Sequence, residues 1–407
     1  MAIRHLLRPA LAALFAGAVV TSQANAQDGP RFRADGPDAE LYGLSRGYPM
    51  CVGLAYIDDK GCRVGAFSNY GTLFPSRVIG APAKASPLQR AAKEPAIAYL
   101  FAGKSFTLDE YLNRRPTTGF LIARDDTILV ERYQYARNDK HLMTSFSMAK
   151  SIIGLLVGLA IERNAIRSID DTADAYVPEL KGTEYGRTPI KALLQMASGV
   201  EFNENYADRS SDIYILARLT LEQDPAGTLN AVKRFNTRKH PPGEVFSYSS
   251  AESSVLGLVV SRATGRTIAD LASEWLWKPL GAESDANWNI DATGQEITYA
   301  YYNAALRDWG RLGLMLAHKG TWAGNSIVPE QWLAAATSRQ PTWPTYGYQI
   351  WLSPINNDRF YLWGLRGQFV LVDPKSRTTL VQTSLDSNQT TVEEISALWL
   401  AVLGQSP

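Results

Sequence analysis

The sequence predicts an α+β fold in which an antiparallel sheet is flanked by helices and joined to a mostly helical region. Three observations predict it. Strand-like patterns open the main region, helical patterns fill roughly residues 165–340, and strand-like patterns return near the end of the chain. Because both ends of this region are strand-like, we expect them to share one sheet.

The composition is that of an ordinary globular protein, since 45% of the 407 residues are hydrophobic and 20% are charged. This length suits one large domain or two modest ones. Lys and Arg number 41, Asp and Glu number 40, and no long basic run breaks the balance. We therefore expect no nucleic-acid partner and no anionic membrane surface as a partner.

Residues 1–26 have the pattern of a secretory signal peptide. Arg4 and Arg8 precede an apolar stretch at 11–20, and Ala24-Asn25-Ala26 offers small residues for cleavage. The alternative, a membrane anchor, is weaker because a spanning helix needs about 20 apolar residues. We expect an exported protein, periplasmic or secreted, without a membrane span after signal removal.

Residues 27–115 are interpreted as an N-terminal extension wrapped on the main domain, the alternative being a flexible linker. Prolines interrupt any long element, and aromatic residues provide surface to bury. The prolines are Pro49, Pro75, Pro82 and Pro87, and the aromatic residues are Tyr42, Tyr48, Tyr56, Phe67, Tyr70 and Phe74.

Cys51 and Cys62 are the two cysteines of the chain. The residues between them include Asp58, Asp59 and Gly61 and can turn back on themselves, and an oxidising compartment permits a disulfide. We favour a disulfide over two free thiols in a surface loop.

Residues 116–407 are predicted to form the main domain. Segments 119–123 and 128–135, separated by Asp125-Asp126, predict a hairpin. Residues 146–161 are apolar almost all round and predict a core helix. Further helices are predicted at 189–196, 253–263, 268–277, 306–318 and 392–403, and further strands at 346–352, 360–365, 369–373 and 378–384.

Several familiar kinds of site find no support in the sequence. His141, His240 and His318 remain after signal removal, and none stands in a ligand pattern, so we expect no metal. Neither a G-x-S-x-G elbow nor a glycine-rich phosphate loop is present, and we expect no cofactor.

The tetrapeptide Ser147-Met148-Ala149-Lys150 is a candidate nucleophilic site. Ser147 opens the predicted core helix, where free N–H groups favour a developing anion. Lys150 lies one turn later on the same face, within reach of the serine hydroxyl. The alternative is an N-capping serine with a lysine that reaches solvent, and these residues alone do not decide between the two.

Two later segments supply further candidates. Tyr248 follows the Pro241-Pro242-Gly243 turn and precedes a helix. Beside an ammonium, the phenol proton of Tyr248 would be easier to remove, so this residue could serve as a general base. The alternative is a core tyrosine with a satisfied hydroxyl. Residues 362–368 (LWGLRGQ) place glycines near a strand edge where a backbone N–H could face an oxyanion, or form a simple hairpin turn.

These elements, in this order, resemble the serine β-lactamase and penicillin-binding protein superfamily, and most of all its class C-like esterases and 6-aminohexanoate-dimer hydrolases. Ser147 and Lys150 match S-x-x-K, Tyr248 matches the tyrosine of Y-x-N, and residues 362–364 take the place of K-T-G. The segments 119–133, 193–205 and 310–332 also look like family landmarks.

The resemblance implies a β-lactamase/D,D-peptidase-like fold and an acyl-enzyme mechanism without a cofactor. Ser147 would attack a carbonyl while Lys150 and Tyr248 handle its proton, and the backbone N–H groups of Ser147 and Leu365 would form the oxyanion hole. Substrate contacts are expected from the segment between the Ser147–Lys150 and Tyr248 motifs, the alternative being a solvated loop, and from Ser250 and the motif strand. These candidates are Tyr206, Asp208, Asp212, Ser250, Trp363, Gly364 and Arg366.

Two departures from the family pattern bear on the substrate. Ser250 stands where many members have Asn, and Leu362 stands where β-lactamases have Lys. Both changes favour a small-molecule ester or small amide over a β-lactam or D,D-peptide. The alternatives are a β-lactamase or D,D-peptidase, and a catalytically silent envelope protein that binds peptide or glycan. The sequence predicts no oligomeric state.

Overall fold

The computed structural model of the chain describes residues 31–340 and 343–404. The predicted signal peptide, residues 1–26, lies outside this range. The strands are β1 (Ser76–Ile79), β2 (Gln89–Arg90), β3 (Ala98–Phe101), β4 (Lys104–Thr107), β5 (Thr117–Arg124), β6 (Thr127–Tyr133), β7 (Met143–Thr144), β8 (Ala286–Asn289), β9 (Tyr302–Ala304), β10 (Thr321–Trp322), β11 (Asn325–Ser326), β12 (Trp351–Leu352), β13 (Phe360–Gly364), β14 (Gln368–Asp373) and β15 (Thr378–Ser384). The helices are α1 (Arg63–Ser68), α2 (Tyr70–Leu73), α3 (Leu108–Leu112), α4 (Met148–Glu162), α5 (Ile190–Leu194), α6 (Asp212–Leu221), α7 (Gly227–Lys233), α8 (Ser250–Thr264), α9 (Ile268–Ala272), α10 (Lys278–Leu280), α11 (Leu306–Ala317), α12 (Glu330–Ala336) and α13 (Gln389–Gly404).

The largest sheet has the strand order β12-β13-β14-β15-β5-β6-β2. Its neighbours pair antiparallel except β2 and β6, which pair parallel. Strand β15 pairs with β5, with Val381 opposite Leu121. The prediction that the two ends of the main domain share one antiparallel sheet is therefore confirmed.

Alternating side chains of the large sheet enter two different cores. Leu121 and Ala123 of β5 pack into the main core, which also contains α4 and α11. Phe120 and Ile122 face the opposite way and pack with α13 through Leu398. This alternation follows from the two-residue period of a strand, and it places helices on both faces of the sheet.

The helical region stands between β7 and β9 in the sequence and packs around α4. Residues Met148–Ala160 of α4 are buried without interruption. A helix that is apolar on all sides needs neighbours on all sides, and α8, α12 and β13 are among them. The predicted core helix at 146–161 is confirmed, with its start two residues later.

Most predicted elements match in kind, and the differences have local causes. The predicted strand 378–384 coincides with β15, and the predicted helix 306–318 ends one residue earlier, with α11. In the segment 346–352 only β12 is a strand, because Tyr346 bridges back to Trp351 across a tight turn. The helix predicted at 268–277 continues from α9 into a π-helical turn, Ser273–Trp277.

The N-terminal extension carries more regular structure than its sequence pattern predicts, namely α1, α2, β2, the β3–β4 hairpin and β1, which pairs with β8. Its six candidate aromatic residues are all buried. The structure joins Cys51 and Cys62 in a disulfide. No helix in the described part of the chain has the length and apolar character needed to cross a membrane.

A buried ion pair on α11 fastens the extension to the main domain. Arg311 donates to Asp308 Oδ1 at 2.9 Å, and two of its nitrogens donate to the carbonyl of Ser86 at 3.0 and 2.8 Å. Asp308 also accepts from the amides of Glu283 and Ser284. Both charged side chains are fully buried.

We predict that Arg311→Met lowers the free energy of unfolding by roughly 3–5 kcal/mol, because it leaves Asp308 buried without its cation. Urea unfolding followed by circular dichroism measures this. Arg262→Met is the matched control, since its ion pair with Glu179 is 41% exposed on both sides and should change the midpoint little. Equal losses for the two variants would contradict the prediction.

Candidate active site

The backbone before α4 places Ser147 in the lining of a pocket. Phe146 has a left-handed φ of 43°, a costly conformation for an aromatic residue. Its ring is held edge-on by Phe67 at 5.0 Å and contacts Tyr70 and Tyr301. This packing stabilises the sharp bend, and the Ser147 side chain makes no capping hydrogen bond to its own helix.

Lys150 is turned inward and not toward solvent. Its side chain is 1% exposed, and Nζ donates to Ser147 Oγ at 3.0 Å, Ser250 Oγ at 3.1 Å and the Tyr299 carbonyl at 2.8 Å. Burial lowers the pKa of Lys150 to about 8, and the carboxylate of Glu204 opposes part of that fall. The ammonium therefore releases its proton far more readily than an exposed lysine.

Tyr248 lies close to both Lys150 and Ser147. Lys150 Nζ is 5.1 Å from the centre of its ring. Burial raises the pKa of Tyr248 far above its usual range, the Glu204 charge raises it further, and a hydrogen bond with Ser147 lowers it in part. Burial therefore keeps this phenol protonated in the free protein, and the expectation that a nearby ammonium eases its deprotonation stays a prediction.

Glu204 is one site residue that sequence reasoning missed. It is buried, and it accepts hydrogen bonds from the Ser250 amide at 2.9 Å, the Ser250 hydroxyl at 2.6 Å and the Tyr206 hydroxyl at 2.5 Å. Ser250 therefore connects Lys150 to a buried carboxylate. The residue stands between Asn203 and Asn205 in a loop, and no local pattern distinguishes it from an exposed acid.

Strand β13 closes the site from the sheet side. A side-chain carbon on Gly364 would lie 2.1 Å from the Ser145 carbonyl oxygen. The Ser145 backbone therefore fills the space beside this glycine, and a substrate does not. Leu365 follows at the pocket wall. Within the described residues, the amide N–H groups of Ser147 and Leu365 donate no hydrogen bond. Both are therefore free to donate to an oxygen in the pocket.

The pocket brings together some of the predicted substrate residues and not others. Tyr206, Ser250 and Arg366 line it. Asp208 and Asp212 do not, because each carboxylate accepts hydrogen bonds from nearby amides and orders its own loop. Trp363 packs instead against Trp351 and Phe369.

The extension forms a part of this pocket that the sequence did not predict. Leu54, Tyr56 and Ile57 lie in its lining, and all three are within the loop closed by Cys51 and Cys62. Cys51, Asp59 and Cys62 are the one group of described residues close enough to share a metal ion. Because both sulfurs are in a disulfide, we do not interpret this group as a metal site.

Comparisons with known proteins agree with this arrangement. The family model described as Beta-lactamase matches residues 107–401. A 6-aminohexanoate-dimer hydrolase of Paenarthrobacter ureafaciens is 28% identical over 341 residues, which cover 78% of this chain and 84% of the relative. A Bacillus anthracis protein described as a candidate 6-aminohexanoate-dimer hydrolase has a TM-score of 0.78 and 25% identity, over 85% of this chain and 95% of its own. A family VIII carboxylesterase, at 18% identity, has the same fold with a TM-score of 0.55, over 71% of this chain and 93% of its own.

We predict that Gly364→Ala displaces the end of β13 from Ser145 and lowers the free energy of unfolding by roughly 1–3 kcal/mol, because the added carbon overlaps a backbone oxygen. A crystal structure of the variant and its urea midpoint measure the two effects. Gly404→Ala, where an added carbon meets nothing within 4 Å, is the matched control. An unmoved strand with unchanged stability would refute the close contact.

Proposed function

The chain belongs to the beta-lactamase family of serine hydrolases, and on this basis we propose that it cleaves a carboxylic ester or small amide through an acyl-enzyme on Ser147. The observation that carries the proposal is the 3.0 Å contact between Lys150 Nζ and Ser147 Oγ. The buried lysine, whose pKa is lowered to about 8, is matched in basicity to the task of taking the serine proton near neutral pH.

Acylation begins when the neutral Lys150 amine takes the proton of Ser147 as its oxygen attacks the substrate carbonyl carbon. The resulting oxyanion accepts hydrogen bonds from the amides of Ser147 and Leu365. The C–O or C–N bond to the leaving group then breaks, and the leaving group takes a proton. Tyr248 donates that proton and recovers one from Lys150, because its high pKa keeps the phenol protonated between steps.

Deacylation repeats the steps with water in place of the serine. Lys150, neutral again, takes a proton from a water molecule through Tyr248 as the water attacks the acyl carbon. The Ser147–acyl bond breaks, Ser147 recovers a proton, and a carboxylic acid leaves. Each proton moves among Ser147, Lys150, Tyr248 and the reactants, so the cycle needs no cofactor.

The motif strand supports esters or small amides as substrates. Leu362 is fully buried in the main core, so the strand position at which β-lactamases carry a lysine offers no cation to a β-lactam carboxylate. Ser250 is committed to Lys150 and Glu204. The proteins that are similar in sequence or fold include a 6-aminohexanoate-dimer hydrolase and a family VIII carboxylesterase. Reaction with a fluorescent penicillin would favour the β-lactamase alternative.

We also propose that the protein is exported to the periplasm or secreted. The signal-peptide pattern at residues 1–26 supports this, and so does a disulfide between Cys51 and Cys62, since such bonds persist in oxidising compartments. Mass spectrometry of the protein from its native host tests the proposal, because export predicts a mature chain that begins near Gln27.

We predict that a fluorophosphonate adds once to the wild-type protein and not to Ser147→Ala, because the serine oxygen is the nucleophile. Turnover of 4-nitrophenyl acetate should fall at least about a thousandfold in the variant. Whole-protein mass spectrometry and absorbance at the nitrophenolate band measure the two effects. Absence of an adduct on either protein would favour the binding-protein alternative, and an adduct on both would place the nucleophile elsewhere.

We predict that Glu204→Gln moves the acid limb of the pH profile of kcat/KM toward lower pH. In the wild type this limb should lie near pH 8, where Lys150 loses its proton. Removal of the Glu204 charge lowers the pKa of Lys150 further, because that charge stabilises the ammonium. Profiles from pH 5 to 10 with a neutral ester measure the limb.

The matched control is Glu201→Gln. Glu201 is in the same loop but is half-exposed and paired with Lys239, so its removal should leave the limb unmoved. A shift of the Glu204→Gln limb toward higher pH, or no shift, would show that Glu204 does not act on the charge of Lys150.

A further inference from the structure

Two aromatic residues beside the candidate catalytic pair have a left-handed backbone. Phe146, which precedes Ser147, has a φ of 43°, and Tyr301 has a φ of 66°. Two residues before Tyr301, the Tyr299 carbonyl accepts from Lys150 Nζ at 2.8 Å. Bulky side chains disfavour this conformation, so it persists only where the surrounding structure holds it. The place of the nucleophile and of one lysine partner therefore depends on what fixes these two residues.

The two left-handed residues are joined to each other through Ser145. The Ser145 amide donates to the Tyr302 carbonyl at 2.9 Å, and the Ser145 hydroxyl accepts from the Tyr302 amide at 3.0 Å. The same hydroxyl donates to the Phe146 carbonyl at 2.8 Å. The rings of Phe146 and Tyr301 also meet edge-on, with centroids 6.1 Å apart. A shift of one backbone segment therefore disturbs the other.

One side chain of the N-terminal extension contacts both rings. Tyr70, the first residue of α2, is fully buried, and its ring stacks on Tyr301 with centroids 4.8 Å apart and planes 11° apart. It meets the Phe146 ring edge-on at 6.3 Å, and both are geometries that aromatic pairs favour. Tyr70 precedes residue 107, where the family match begins. It does not line the described pocket, so its effect on the reaction passes through these two neighbours.

Tyr70 is itself fixed at its hydroxyl and at its backbone. Its hydroxyl shares a hydrogen bond of 2.5 Å with the buried Tyr56 hydroxyl. The Tyr70 carbonyl accepts from the Asn289 side chain at 3.1 Å, and the Asn289 amide donates to the Tyr301 carbonyl at 3.3 Å. Asn289 is fully buried in β8. One asparagine thus holds the backbones of both stacked tyrosines.

We propose that Tyr70 is a positioning residue for the reaction at Ser147. Its ring packs against Tyr301 and Phe146 and stabilises their left-handed conformations. These conformations place the Tyr299 carbonyl so that it holds the lysine ammonium beside the serine oxygen. The proposal rests on the proposed function for the reaction itself, but the geometry that it predicts can be measured without turnover.

The kinetic test removes the ring and keeps an apolar side chain. Tyr70→Met should slow adduct formation with a fluorophosphonate by about tenfold or more, because the serine and the lysine lose their alignment. For 4-nitrophenyl acetate, kcat/KM should fall by a similar factor. Tyr70→Phe should stay within about threefold of the wild type, because the stacked ring remains. Loss in Tyr70→Phe as large as in Tyr70→Met would overturn the role of the ring.

Tyr99→Met is the matched control. Tyr99 belongs to the same extension and is buried, and its hydroxyl donates to Glu394 at 2.6 Å, but it packs in the core on the opposite face of the large sheet. Its replacement should lower the urea midpoint and leave both rate constants of the folded protein unchanged. An equal loss of activity in Tyr99→Met and Tyr70→Met would show that Tyr70 supports only general stability, which would overturn the proposal.

Crystal structures separate this proposal from the proposed function. In Tyr70→Met, Tyr301 should leave the left-handed region, and Lys150 Nζ should lose its contact with the Tyr299 carbonyl. If Tyr70→Met does not fold, Tyr301→Leu removes the same stacked pair from the other side, and residue 301 should again leave that region. An unchanged φ at residue 301 in the folded variant overturns the proposal. If the wild type forms no adduct but Tyr70→Met shows the changed geometry, the enzyme proposal fails and the positioning role stands.

Discussion

The burial of the Lys150 ammonium is the constraint on which the rest of the site depends. A lysine held at 1% exposure must satisfy three donors, and it does so with Ser147, Ser250 and the Tyr299 carbonyl. Those three partners come from segments that are far apart in the sequence, so they meet only in the folded protein, around the Lys150 ammonium. Burial alone would lower the pKa of Lys150 further, and Glu204 limits the fall. The two effects together leave a base suited to neutral pH, at a cost in stability that the surrounding core has to offset.

The fold meets this demand by surrounding α4 on every side. The sheet closes one side through β13, whose Gly364 touches the backbone of Ser145, and the helical region closes another through α8, which begins at Ser250. Phe146 completes the arrangement, because its left-handed φ bends the backbone before α4. The Ser147 side chain consequently faces the pocket and does not cap its own helix. Residues of the extension hold the Phe146 ring in place, so the geometry of the nucleophile depends on a segment outside the matched family region.

The sequence predicts those parts of the molecule whose cause is local. Neighbours within a few residues determine the alternating pattern of β5 and β15, the apolar run of α4 and the spacing of Ser147 and Lys150. Each of these features was therefore predictable. Glu204 was not, because its role arises from Ser250, which is 46 residues away along the chain and adjacent only in the fold. The protonation state of Tyr248 was not predictable for a related reason. The sequence indicates that an ammonium lies nearby, but it does not indicate how completely water is excluded from the phenol.

The position of the cation in this pocket shows why family membership alone does not identify the substrate. Residue 362 faces the main core as a leucine, so no charge can act from the middle of β13. Arg366 carries the charge instead from the turn after that strand, at the end of the pocket where the extension packs. Its effect depends on Asp386, and Asp386 is shared with Lys60 and Arg63 of the extension. A change at Lys60 or Arg63 therefore alters the field at Arg366, whereas a change at Phe67 alters the packing of Phe146 beside Ser147.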